Sequence, residues 1–162
     1  MCRSDRSPFD TLEATFRLLT VCPQPLALDG PDIGLAADSI GLGDLRAILF
    51  HPATSITVQR AVLQQLVERA RRHRGAWLIG LAGMLLPGLR QPSCPLTQTR
   101  PRTTIGLDGV ALAGLLGQLD APDMPCDVLA ESLLWTVLRP PPRSPQHGHP
   151  RSHMAAVPGR LP

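Results

Sequence analysis

Residues 54–89 carry the clearest alternation of apolar and polar positions in the chain. At 100° per residue, Val58, Val62, Leu63, Leu66, Val67 and Ala70 fall within one arc of about 180°. Arg60, Gln64, Gln65, Glu68, Arg71 and Arg72 fill most of the other side, with Arg69 at the edge of the apolar arc. The pattern predicts a helix over 55–74 with one buried and one wet face. Ser55 is placed to cap its start, because a hydroxyl there accepts from the unpaired amides of the first turn. Arg69, Arg71, Arg72 and Arg74 crowd the last turns, where cations oppose the negative end of the helix dipole, and Gly75 supplies the stop. About 20 residues at 1.5 Å each make a rod of roughly 30 Å, enough to span a small domain.

The following segment, 76–86, has no charge, so periodicity does not choose its buried face. It reads as a central helix, with Gly80 and Gly83 small enough to let a neighbouring helix come close. The uncharged run over 75–89 is short of the roughly 20 residues that cross a bilayer. A buried helix is the leading reading and a partner-facing segment the other. Trp77 and Trp135 read as core anchors first and as interface residues second.

The remaining pattern is helical and shorter. Leu12, Phe16 and Leu19 predict a helix over 8–21, with Pro8 in its first turn and Pro23 as its stop. Asp29-Gly30 lies between short apolar runs, but Pro31 favours a turn-rich loop over a hairpin. Leu45, Ile48 and Leu49 give two helical turns ending at His51-Pro52. The proline-rich stretch 89–104 reads as a loop. Asp108 is a candidate cap for a helix through Leu119, with Leu112, Leu115, Leu116 and Leu119 facing the core. A last helix over 126–138 places Leu129, Leu133, Leu134 and Val137 at helical spacing. From Arg139 onward there are seven prolines and no acid, a composition that buries too little apolar surface to order itself. The fold class expected is all-α: a small irregular bundle of about five helices, organised as an N-terminal helix and frayed end over 1–22, a helical domain over 23–138 and a disordered tail over 139–162.

Composition narrows the chemistry. All 16 basic residues are Arg, and Lys, Tyr and Asn are absent. These three share A/T-rich codons, so their joint absence points to a high-GC genome and lowers the weight of every arginine cluster. Without Lys there is no P-loop or Schiff-base lysine, and without Tyr no tyrosine nucleophile. Three Phe and two Trp are few for stacking single-stranded bases. Cys2, Cys22, Cys94 and Cys126 are widely spaced, with no C-x-x-C pair, and are expected to be thiols. No apolar run follows Met1 as in a secretory signal, so the expected location is cytoplasmic, with no membrane partner. The net charge of +3 is uneven: positive over 55–74 and 139–162, negative elsewhere.

Residues 25–72 followed by GAWLIGLAGMLLPGLR (75–90) resemble a group of uncharacterised helical proteins of high-GC actinobacteria, over roughly residues 23–90. In fuller members of that group a segment similar to region 2 of RNA polymerase sigma factors follows, and GLDGVALAGLLGQLD (106–120) looks like its worn remainder. This chain departs from that pattern: a proline-rich stretch over 90–104 replaces the intervening basic helix, and the acidic and aromatic residues of sigma-type regions are missing. The resemblance implies a transcription-related ancestry and carries over no catalytic residue.

Two functions are therefore expected, neither enzymatic and neither needing a cofactor. In the first, Arg60, Arg69, Arg71, Arg72 and Arg74 neutralise phosphates of DNA, in association with transcription machinery. In the second, the 76–89 helix binds a protein partner or a second copy through Trp77, Gly80 and Gly83. The competing reading of the arginines is a solvated helix face. His147, His149 and His153 are weak metal-ligand candidates without acidic or thiolate companions, and Asp29, Asp32 and Asp38 lack the alternating spacing of a calcium loop. His51 reads as a helix-end residue, and an enzyme would need it gathered with acids in a pocket.

Overall fold

A computed structural model describes residues 7–21, 23–91 and 104–140, with side chains in the last stretch from 108 onward. The described chain is mostly helical, as the apolar periodicities require. Six helices follow in order: α1 (Pro8–Val21), α2 (Leu42–Phe50), α3 (Ile56–His73), α4 (Ala76–Leu89), α5 (Thr104–Asp120) and α6 (Cys126–Leu133). A π-helical turn, Leu134–Leu138, continues α6, closed by the Arg139 amide donating to the Leu134 carbonyl at 2.9 Å. The expected loop over 89–104 lies largely, and the tail beyond 140 wholly, outside the described residues.

α3 forms as its pattern demands. The Ser55 hydroxyl accepts from the Val58 amide at 3.3 Å, and Val62, Leu63, Leu66 and Val67 are fully buried. Gln59 is also buried, because it falls inside the apolar arc. Its Nε2 donates to the Leu49 carbonyl at 2.8 Å, and its Oε1 accepts from Arg139 Nε at 2.9 Å, so the buried amide is satisfied at both ends. The turn into α4 uses two positive φ angles, 37° at Arg74 and 49° at Gly75. The second suits glycine; the first strains Arg74.

α4 is the centre of the bundle, packed against α3, α1, α2 and the π turn. Leu81, Met84, Leu85, Leu86 and Leu89 are all fully buried. The helix runs three residues past the expected end at 86, through Pro87. Proline has no N–H to give the Gly83 carbonyl four residues earlier, and Arg46 Nη1 donates to that carbonyl instead, at 3.4 Å. The same guanidinium holds Glu13 of α1 by two bonds of 2.9 and 3.0 Å and lies 4.5 Å from the centroid of the Phe16 ring.

The small residues of α4 serve these internal contacts, which corrects their assignment to an interface. A Cβ on Gly83 would lie 2.5 Å from Phe16 Cγ, and one on Gly80 would lie 2.8 Å from Leu42 Cδ1. The close approach they allow is made by α1 and α2 of the same chain.

Three further expectations are revised. The Asp29-Gly30 region does form a hairpin, β1 (Ala27–Asp29) antiparallel to β2 (Ser39–Gly41), with Leu28 opposite Ile40. Pro31 is accommodated because the connection is long and holds a 3-10 turn, Pro31–Ile33. α5 begins at Thr104, a turn before the expected cap, so Asp108 is interior and receives the Ser7 hydroxyl from the start of α1. Along α5, Ala111, Leu115 and Leu119 are buried, whereas Leu116 is 39% exposed.

Candidate functional site

The arginines of α3 were the first candidates, and the structure places them one by one. Arg71 turns back over the end of α5 and donates to the carbonyls of Leu119 at 3.1 Å, Ala121 at 3.1 Å and Met124 at 2.5 Å. It is a C-terminal cap for another helix, answering carbonyls at the end of α5 and in the turn that follows. Arg60 makes a two-point pair with Glu131 of α6, at 2.5 and 3.0 Å. Arg74 pairs with Asp120 at 2.7 Å. Arg69 reaches Asp29 at 3.5 Å and covers the Trp77 ring at 5.0 Å from its centroid. Arg72, in the middle of the wet face, is exposed and has no charged partner among the described residues. The expected phosphate face is thus mostly engaged within the chain, because the residues at both edges of the helical wheel meet flanking elements. Trp77 is half-buried against the core beneath Arg69.

Trp135 departs from expectation. It was read as a core anchor, yet it is 46% exposed, and Val128 two turns earlier on α6 is 50% exposed. The two lie roughly 180° from the buried leucines of the same helix, so a helical wheel of α6 alone carries the signal. Together with Arg60, Asp127, Glu131 and Ser132 they line an open hollow of about 540 Å³ between α3 and α6.

The ring is held in place. Trp135 Nε1 donates to Glu131 Oε1 at 2.6 Å, and the same carboxylate takes the Arg60 guanidinium. These bonds hold the Glu131 carboxyl below the usual carboxylate range, chiefly through Arg60 and then through the indole N–H. The Arg60 guanidinium is correspondingly raised by its bond to Glu131. One apolar strip thus has an acidic and a basic rim. The π turn that carries Trp135 is a rare geometry, often found where function requires a shifted side chain.

The other candidates are not gathered into a site. His51 Nδ1 accepts from the Ala53 amide at 3.2 Å, and the hollow beside it is lined by Leu49, Phe50, Pro52, Gln59, Leu138 and Arg139, without a carboxylate. Asp29 pairs with Arg69 and does not gather with Asp32 and Asp38 into a three-member cluster. Cys126 is a thiol whose Sγ lies 3.5 Å from Arg71 Nη1. Among the described residues no three His, Cys, Asp or Glu side chains cluster to hold a metal. Cys2, Cys22, Cys94, His147, His149 and His153 lie outside those residues. No described helix is long and apolar enough to cross a membrane.

Compared with protein-family models, curated proteins and solved structures, the chain matches none. The functional reading therefore stands on the geometry of the α6 strip.

Proposed function

We propose that this chain is a non-enzymatic helical module that binds another polypeptide through the Val128–Trp135 strip. The observation that carries the reading is the half-exposed indole of Trp135, fixed by Glu131 and Arg60 at the wall of an open hollow. An immobilised tryptophan offers large contact area with little conformational entropy left to lose, which is why such residues dominate binding energies. Val128 extends the apolar contact, and the charged rim selects orientation.

The test is a panel of fluorescent peptides of proline-rich, amphipathic-helical and acidic classes, titrated against the full chain by anisotropy. At least one class should bind, and Trp135→Ala should weaken it about 30-fold, the effect of removing a hot spot. A panel in which no peptide binds, or in which Trp135→Ala leaves every affinity unchanged, removes the reading.

A second reading keeps the nucleic-acid association. It is favoured by Arg72 and Arg74, both exposed at the end of α3, and by the transcription-related ancestry that the actinobacterial resemblance implies. With Arg60, Arg69 and Arg71 engaged elsewhere, and Arg74 exchanging its exposed pair with Asp120 for phosphate, this face would contribute contacts to about two phosphates, about −2 in the slope of log K against log salt.

A further inference from the structure

The occupant of the α6 strip is indicated by the chain itself. Residues 140–145 read Pro-Pro-Pro-Arg-Ser-Pro, and the stretch 140–162 holds Arg143, Arg151 and Arg160 without one acid. Consecutive prolines favour the extended polyproline helix, whose recognition rests on exposed aromatic rings, with nearby acids choosing a basic residue of the ligand. The strip supplies both. Trp135 and Val128 are its apolar floor, and Asp127 and Glu131 outnumber Arg60 on its rim.

The path of the chain brings the two together. Arg139, the last side chain before the prolines, is tied to Gln59 at 2.9 Å and to the Thr54 carbonyl at 3.4 Å, at the start of α3. The next residue on that helix is Arg60, which lines the hollow. Pro140 follows Trp135 by five residues, so the proline stretch begins within reach of the strip. At 3.1 Å per residue, six residues in polyproline form reach about 19 Å. The seven helical steps from Val128 to Trp135 span only about 10 Å.

We infer that the segment 140–162 docks in cis on the Val128–Trp135 strip, its prolines against the indole and its arginines against Asp127 and Glu131. The inference rests on the polypeptide-binding reading above and adds the ligand class, a proline-rich basic peptide. A tether this short gives an effective concentration in the millimolar range, so even a weak contact is populated and an outside ligand must compete with it.

The experiment uses the full chain, ¹⁵N-labelled, and a tail variant in which Pro141, Pro142 and Pro145 become Ala and Arg143 becomes Glu, with helicity checked by circular dichroism. The Trp135 Nε1–H resonance should differ between the two proteins, and the difference should not depend on concentration. A synthetic peptide of residues 139–162 should bind the tail variant at least about tenfold more tightly than the wild type, since the tether no longer competes. An unchanged Trp135 resonance overturns cis docking; if the peptide nevertheless binds at Trp135, the polypeptide-binding reading survives, and if it binds neither protein, cis docking fails while the peptide panel above decides the polypeptide-binding reading. A resonance difference that grows with concentration also overturns the inference, because it assigns the contact to a second copy.

Discussion

Replacing Gly83 by alanine should destabilise the protein although alanine is the better helix former. The new Cβ would lie 2.5 Å from Cγ and 2.6 Å from Cβ of Phe16, where carbon contacts settle at roughly 3.5–4.0 Å. The ring must retreat by about 1 Å to restore that separation. Phe16 is only 1% exposed, and the Arg46 guanidinium sits over it while also holding Glu13 and the Gly83 carbonyl, so the displacement strains several contacts together. Overpacking costs about 1–3 kcal/mol, and contact with both the ring and the Cβ of Phe16 places this site in the upper part of that range, about 2–3 kcal/mol. The helix propensity of alanine returns up to about 1 kcal/mol. The net loss should be about 1–2 kcal/mol, a fall in Tm of roughly 3–8 °C. Gly117 is the control, since it lies on α5 with nothing within 4 Å of its added Cβ. Gly117→Ala should gain up to about 1 kcal/mol. Urea unfolding followed by circular dichroism reads both, and equal or greater stability of Gly83→Ala would refute the account of how α1 and α4 meet.

Three more predictions follow from the same contacts. Arg71→Ala removes the cap on the α5 and α5–α6 carbonyls and should cost about 1.5–3 kcal/mol, whereas Arg72→Ala should stay within about 0.5 kcal/mol; similar costs in denaturant titration would show Arg71 to be mere surface. The Glu13 carboxyl is lowered from 4.5 mainly by its hydrogen bonds from Arg46, against burial, which raises it. Its contribution is therefore complete above about pH 4.5 and is lost as pH falls through the depressed folded value. Glu13→Gln should be less stable at neutral pH and converge on the wild type in acid, and a pH-independent gap would contradict this. Across a salt series, Arg72→Ala with Arg74→Ala should ease the slope of duplex DNA binding by about 2 and Arg60→Ala with Arg69→Ala should leave it unchanged; a further easing of about 2 from the second pair would return those arginines to a phosphate-binding role.

How much of this was legible in the sequence differs by element. α3 was readable almost whole, because a long amphipathic helix encodes its buried face, its Ser55 cap and its basic end within one segment. The partners of its arginines were not, since Asp120, Glu131 and Asp29 are brought near only by tertiary packing. The continuation of α4 through Pro87 was hidden for the same reason: the donor that serves the Gly83 carbonyl comes from Arg46, far away in sequence. Gly80 and Gly83 were rightly read as sites of close approach, but composition does not say whether the neighbour is internal. Trp135 was misplaced by grouping it with the leucines around it, although the angle it shares with Val128 was present in the sequence.

The most direct test of the central claim is chemical-shift mapping of the full chain with a proline-rich basic peptide and, separately, with duplex DNA at physiological salt. The peptide should move the Trp135 indole N–H and the amides around Asp127, Val128 and Glu131, with little change along α3 beyond Arg60. Shifts confined to residues 69–74 on adding DNA, with the Trp135 signals unmoved by the peptide, would contradict it and place the working surface on the arginine helix.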